Sequence, residues 1–352
     1  MILHDLSMYR TKTKSIKALA ANSLVEELQA YFIYRLTELG RSRNIPVNFE
    51  PVEWFRDSGV HGGGVRFVAS APELFNRGSV NVSQVHYDDA VKKTLGSATA
   101  LSTIIHPANP FAPSVHMHIS WTEMKNGKGY WRMMADLNPS IVDEAAKDQF
   151  IHTLKQAAPT QYDLAADQGD HYFYIPALDR HRGVAHFYLE EYNGDSEQAD
   201  FELAWSLGHQ VIDCYTQLLN QALSAHPQPG HDDYIQQLAY HSLYLFQVLT
   251  LDRGTTSGLL IHDQNDTGIM GSLPARVDKS LIETWKIKMP SPQDRLLDAI
   301  LDCLPEEGEI VDSVKLKLAQ AVREHYQNYP EALKLQAKGN VIPPTVQNHA
   351  VT

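Results

Sequence analysis

The chain has little cysteine, no excess of positive charge and no long apolar run. Cys214 and Cys303 are its only two cysteines among 352 residues, too few for a disulfide framework or a cysteine-rich zinc module. The formal net charge of −12 argues against a nucleic-acid-binding protein, which would need a basic surface. Residues 1–10 have no apolar signal core, and no run is long enough to span a bilayer. We therefore expect a cytoplasmic protein without a membrane span.

Histidine, by contrast, is abundant, with 17 residues. Two of the histidines stand in the most regular stretch of the chain. Over residues 114–121 apolar and polar residues alternate strictly, which indicates a strand with one buried face and one open face. His116, His118 and Ser120 share the open face. A short turn and a second strand carrying Asp136 follow, so this hairpin is the best candidate for a functional site.

Hydrophobic periodicity and turn signals divide the rest of the chain into helices and strands. We predict helices over residues 15–39, 141–157, 199–224, 296–304 and 313–326. We predict strands over residues 75–86, 98–106, 114–121, 130–137, 170–175, 183–189 and 238–251. The last of these is apolar on both faces, which is typical of a strand in the middle of a covered sheet. The three glycines at 62–64 let the backbone either approach a neighbour closely or turn sharply, but their context does not favour a nucleotide loop.

Several motifs, in a shared order, are similar to those of one enzyme family. Residues 105–116 (IHPANPFAPSVH) are very close to its I-H-P-x-N-P-x-x-P-T-x-H, and residues 78–86 (GSVNVSQVH) resemble its A-G-V-N-F-S-x-V-H. Weaker matches are Trp54 with the glycines at 62–64, and residues 135–139, 170–175, 182–183, 252–255 and 270–274. Together they make residues 15–280 resemble the oxygen-dependent coproporphyrinogen III oxidases.

That resemblance implies an α+β fold in which helices cover both faces of a large, flat antiparallel sheet. We expect this domain over residues 1–280, a helical C-terminal extension over 281–352, and a homodimer. The family uses molecular oxygen to decarboxylate two propionates to vinyl groups, releases carbon dioxide and hydrogen peroxide, and needs no organic cofactor.

The resemblance also assigns site residues. Asp136 matches the catalytic aspartate that handles a pyrrole N–H proton, and His116 matches the active-site histidine. A carboxylate beside a tetrapyrrole can take or stabilise a proton as charge develops. The expected substrate-binding residues are Asn81, Ser83, His106, Ser120, Arg182 and Arg253. Arg253 is equally well explained as a structural ion pair with Asp252.

The departures from the family pattern concentrate in the site. His118 and Ser120 stand where the family has asparagine and arginine, and residues 132–134 (Arg-Met-Met) replace glycines before Asp136. Most of the family arginines that would bind four carboxylates are absent, and other residues do not copy the bidentate bond of arginine. We expect the fold to carry over further than the substrate.

Two alternatives follow from these departures. A metal-dependent oxygenase acting on another small carboxylate would hold iron, copper or manganese, because histidine and carboxylate donors suit these metals. Its candidate ligands are His116, His118, His186, His241 and Glu123, although a single H-x-H pair on a strand is more often ordinary polar lining. The second alternative is a non-enzymatic scaffold that binds a tetrapyrrole or another apolar acid.

Overall fold

Antiparallel strands form the centre of the molecule. The computed structural model describes residues 10–194, 196–339 and 345–346. The strands are β1 (Phe49–Phe55), β2 (Gly62–Ala69), β3 (Phe75–His86), β4 (Leu95–Pro107), β5 (Ser114–Met124), β6 (Gly129–Asn138), β7 (Tyr174–Ile175), β8 (Arg180–His181) and β9 (Ala185–Tyr192). Seven of them form one sheet in the order β1-β2-β3-β4-β5-β6-β9, and β7 pairs with β8.

Helices lie on both sides of the sheet. They are α1 (Ile16–Ser42), α2 (Glu144–Ala157), α3 (Tyr162–Phe173), α4 (Glu197–Ala225), α5 (His231–Thr250), α6 (Arg253–Ile261), α7 (Asp266–Ile269), α8 (Lys279–Glu283), α9 (Gln293–Cys303) and α10 (Asp312–Asn328). The predicted α+β fold, with an antiparallel sheet covered by helices on both faces, is confirmed.

The predicted hairpin is β5 and β6, joined by a turn at residues 125–128. The two faces of this hairpin lie against two different apolar clusters. Val115, Met117, Ile119 and Trp121 of β5 are buried in one cluster with residues of α1, α2 and α4. The opposite face of the sheet contributes Ile104, Met134 and Tyr188 to a second cluster, together with residues of α5 to α10. The polar face of the hairpin therefore looks toward the C-terminal helices.

The predicted strand at residues 238–251 is wrong, because this stretch is the C-terminal part of α5. Every residue from Tyr240 to Thr250 is buried, so this half of the helix has no exposed face. Asp233 caps the helix start by accepting a hydrogen bond from the Gly230 N–H at 2.7 Å. The helix is 20 residues long, which is well beyond the usual length of a strand.

The predicted strand at residues 170–175 is also largely wrong. Residues 170–173 are the last turn of α3, and only Tyr174 and Ile175 are extended, in β7. Tyr172 and Phe173 are aromatic residues that favour strands intrinsically, but here both are buried on a helix. The other predicted helices and strands are present, with ends that differ by a few residues.

The three glycines begin β2 and let it run close beside β1 and β3. A Cβ on Gly63 would lie 2.2 Å from the Trp54 carbonyl oxygen, and one on Gly64 would lie 2.4 Å from the Val82 carbonyl oxygen. Both contacts are far too short for a side chain, so this stretch requires glycine. The expected close backbone approach is confirmed.

The C-terminal helices α8, α9 and α10 contribute to the same apolar cluster as α5. Thr345 lines the cavity described below. Of the ten N-terminal residues that lack a signal core, only Arg10 lies within the described part of the chain. Among the described residues, no helix combines the length and apolar character needed to cross a membrane.

Candidate active site

A cavity of about 310 Å³ lies between the polar face of the sheet and the segment formed by α5, α6 and α7. Because side chains alternate along each strand, the floor is built from every second residue of β3 to β6. The predicted residues Asn81, Ser83, Ser120, Arg182 and Arg253 all line this cavity, as do His116 and His118. The sheet register places His116 opposite Asp136 and His118 opposite Met134.

His116 and Asp136 form a hydrogen-bonded pair across the hairpin. The Nδ1 atom of His116 lies 2.8 Å from Oδ1 of Asp136. The His116 side chain is 17% exposed, whereas Asp136 is fully buried. The histidine therefore faces the cavity with Asp136 behind it, and its Nε2 atom is the nitrogen that a ligand can reach. This arrangement fixes the orientation of the imidazole ring.

Arg182 holds the other side of the carboxylate. Its Nη2 atom donates to Oδ2 of Asp136 at 2.8 Å, and its Nη1 atom donates to Gln247 at 2.6 Å. Asn138 donates a second hydrogen bond to Oδ2, at 2.6 Å. Burial alone would raise the pKa of Asp136, but the charges of Arg182 and His116 outweigh burial and hold it well below its usual value. Asp136 is thus a permanently ionised group inside the protein.

His118 lies two residues along the same strand from His116. Its Nε2 atom is 3.0 Å from the Ser120 hydroxyl. Burial lowers the pKa of His118 well below its usual value, and the nearby charges of Arg132 and His116 lower it further. His118 is therefore a neutral, hydrogen-bonding group at neutral pH.

A second ionic group, not recognised from the sequence, lies at the Ser120 end of the floor. Arg132 pairs with Ser120 in the sheet register, and its Nε atom lies 2.8 Å from Oε2 of Glu190. Its Nη2 atom donates to the Tyr188 hydroxyl at 2.9 Å, and that hydroxyl donates in turn to Glu190. The spacing contains a signal for this group, because Arg132 and Asp136 are four residues apart on one strand and so share a face.

His106 does not line the cavity. It is fully buried, its Nδ1 atom lies 2.8 Å from the Ser114 hydroxyl, and its Nε2 atom lies 3.2 Å from the Ser272 carbonyl oxygen. Burial, with the neighbouring His241, lowers the pKa of His106 well below its usual value. The geometry therefore gives His106 a structural position and does not support the predicted direct contact with substrate.

Asp252 caps α6 at the opposite side of the cavity. Its carboxylate accepts from the Thr255 N–H at 2.7 Å and from the Tyr172 hydroxyl at 2.8 Å. This explains the Asp-Arg-Gly-Thr motif, because the aspartate supplies the helix N-cap and thereby places Arg253 at the cavity wall.

The structure does not bring the five candidate metal ligands together. His186 lies 2.7 Å from Asp170 through Nδ1 and 2.8 Å from the Arg182 carbonyl oxygen through Nε2. Glu123 accepts a hydrogen bond from Ser15 at 2.5 Å. His241 lies beside His106, outside the cavity lining. Within the described ranges, no three or more histidine, cysteine, aspartate or glutamate side chains form a group that could hold a metal.

Comparison with known proteins assigns the chain to a family. The family model for coproporphyrinogen III oxidase matches residues 20–303. The chain belongs to the coproporphyrinogen III oxidase family. This confirms the resemblance that the motifs indicate.

The similar curated proteins are distant relatives. The mitochondrial oxygen-dependent coproporphyrinogen-III oxidase of Rattus norvegicus is 26% identical over 73% of this chain and 61% of its own length. The corresponding enzyme of Drosophila melanogaster is 27% identical over 71% of this chain and 69% of its own length. That of Francisella tularensis subsp. holarctica is 27% identical over 65% of this chain and 78% of its own length. The chain thus spans less than two thirds of the rat enzyme.

Proposed function

We propose that this protein is an oxygen-dependent oxidase that decarboxylates propionate side chains of a tetrapyrrole, as the named relatives do with coproporphyrinogen III. In that reaction a propionate loses its carboxylate as carbon dioxide and one hydrogen from the methylene next to the pyrrole. The two electrons pass to molecular oxygen, which leaves as hydrogen peroxide, and a vinyl group remains. We propose that no organic cofactor takes part.

The observation that carries this proposal is the His116–Asp136 pair on the cavity floor. His116 accepts a proton from a pyrrole N–H through Nε2, which makes the ring electron-rich and favours departure of the hydrogen from the side chain. The resemblance assigns the pyrrole proton to Asp136, but Asp136 is fully buried behind His116. We therefore propose Asp136 as the positioning residue, which fixes the tautomer of His116 and offsets the charge of the imidazolium that forms. Arg182 keeps Asp136 ionised throughout.

The test is turnover of coproporphyrinogen III under air and under argon, with carbon dioxide, hydrogen peroxide and vinyl products quantified. We expect turnover only under air. His116→Gln removes the proton acceptor and should lower kcat by 10²- to 10⁴-fold, the usual range for a general base. The matched control is His209→Gln, since His209 lies on α4, away from the cavity lining. Equal activity of His116→Gln and the wild type would remove His116 from the mechanism.

We further propose that the protein acts as a cytoplasmic homodimer with a small-molecule substrate and oxygen as its partners. The resemblance to the family supports the homodimer. The net charge of −12 supports the absence of a nucleic-acid partner. Light scattering coupled to size-exclusion chromatography tests it, and a mass of one chain at micromolar concentration would contradict it.

A further inference from the structure

The positive charges of the cavity are already matched by negative ones. Arg132 is held by Glu190 and by the Tyr188 hydroxyl, and its guanidinium also lies 5.3 Å from the centre of the Tyr188 ring. The Glu190 side chain is only 2% exposed. Burial would lower the pKa of Arg132, but Glu190 and the neighbouring tyrosines raise it well above its usual value, so the arginine keeps its charge.

The same balance holds for the cavity as a whole. Among the described residues that line it, three are arginines: Arg132, Arg182 and Arg253. Two carboxylates, Glu190 and Asp252, line it as well, and Asp136 lies directly behind His116 and Arg182. Counted with Asp136, which is fully buried behind the lining, three carboxylates offset the charges of the three arginines. His118 adds no charge, because burial lowers its pKa well below its usual value.

Such a site accepts few additional anions. A carboxylate that enters a buried region is stable only when positive or hydrogen-bonding partners compensate its lost hydration. In this cavity a carboxylate approaching Arg132 competes with Glu190, which is attached to the same sheet and cannot leave. Every further carboxylate of the substrate adds to this cost.

We propose that this site prefers a substrate with fewer carboxylates than the four of coproporphyrinogen, and that the Arg132–Glu190 pair determines that preference. This inference rests on the proposed function and names the substrate class for it: a tetrapyrrole with two or three acidic side chains.

The test measures equilibrium binding, which does not depend on turnover. The probes are two fluorescent oxidised macrocycles, coproporphyrin III with four carboxylates and mesoporphyrin IX with two. We expect the wild type to bind mesoporphyrin IX more tightly. Since mesoporphyrin IX is also the more apolar probe, the decisive quantity is the change in the ratio of the two dissociation constants on mutation.

Glu190→Gln removes the internal partner of Arg132 and leaves the guanidinium for an incoming carboxylate. One charge-assisted bond gained corresponds to about tenfold or more in affinity, so the ratio should shift at least tenfold toward coproporphyrin III. The shift should shrink at high salt. Arg132→Gln/Glu190→Gln should return the ratio to the wild-type value, because both charges are then gone.

Glu191→Gln is the matched control, because Glu191 is the next residue on β9, pairs with Lys128 and does not line the cavity. It should leave the ratio unchanged. Tighter binding of coproporphyrin III by the wild type would overturn the inference without any variant. An unchanged ratio of dissociation constants in a folded Glu190→Gln protein would also overturn it, as would failure of the wild type to bind either probe. Oxygen-dependent turnover is assayed separately, so its absence with a normal binding preference would refute only the proposed function.

Discussion

Removing the charge of Asp136 should destabilise the whole protein because it leaves the buried Arg182 without its ion-pair partner. The Asp136 side chain is 0% exposed and that of Arg182 is 1% exposed, with 2.8 Å between Nη2 and Oδ2. Asp136→Asn keeps the size of the side chain, removes its charge and replaces one acceptor oxygen with an NH2 group. The substitution therefore leaves Arg182 without its ion-pair partner while it creates no cavity.

The magnitude follows from the burial of both partners. Breaking a buried ion pair on one side costs about 3–5 kcal/mol, since the remaining ion has lost its hydration without compensation. For a chain of this length that corresponds to a fall of roughly 4–7 °C in Tm. Arg182→Met combined with Asp136→Asn should cost less than the sum of the two single variants, because neither ion then remains.

Urea unfolding followed by circular dichroism at pH 7 measures these costs, and a double-mutant cycle gives the coupling between the two residues. Glu144→Gln is the control. Glu144 forms an exposed pair with Lys147 on α2, and breaking such a pair costs about 0.5 kcal/mol or less.

The pH dependence supplies a second check. The folded-state pKa of Asp136 lies below its unfolded value, so its stabilisation is fully present above the unfolded pKa of about 3.9 and is lost as the pH falls through the folded-state value. The difference between wild type and Asp136→Asn should thus be complete at pH 7 and shrink below about pH 4. A cost no larger than that of the Glu144 control would refute the reasoning.

Two further predictions concern stability and the cavity wall. Burial lowers the pKa of His241 to about 3, so below about pH 6.5 the unfolded chain binds a proton that the folded protein does not. Relative to wild type, His241→Leu should therefore gain about 2 kcal/mol in the free energy of unfolding at pH 5 over its effect at pH 8. Equal effects at both pH values would contradict this. In Gly64→Ala the new Cβ would lie 2.5 Å from Nε1 of Trp54, so we expect a loss of about 1–3 kcal/mol from overpacking with a change in tryptophan fluorescence. Gly127→Ala, whose Cβ would meet no atom within 4 Å, should leave the fluorescence unchanged.

The central hairpin and its chemistry could be predicted because they depend on local alternation. A strand with one buried face repeats every two residues, so the placement of His116, His118 and Ser120 on one face follows from their spacing. The opposition of His116 and Asp136 needs only a short turn between two strands. The order of the motifs likewise identified the family, since it depends on the chain alone.

The tertiary structure alone decided how each of these residues is used. Arg182 is 46 residues from Asp136 in the chain, and no local pattern predicts that it closes the buried pair. Glu190 reaches Arg132 only because β9 joins the sheet beside β6. Residues 238–251 are apolar enough to predict a covered strand, and only the packing shows that they belong to the buried second half of the helix α5. Burial and long-range pairing are properties of the packed molecule, and they distinguish the cavity-facing His116 from its fully buried partner Asp136.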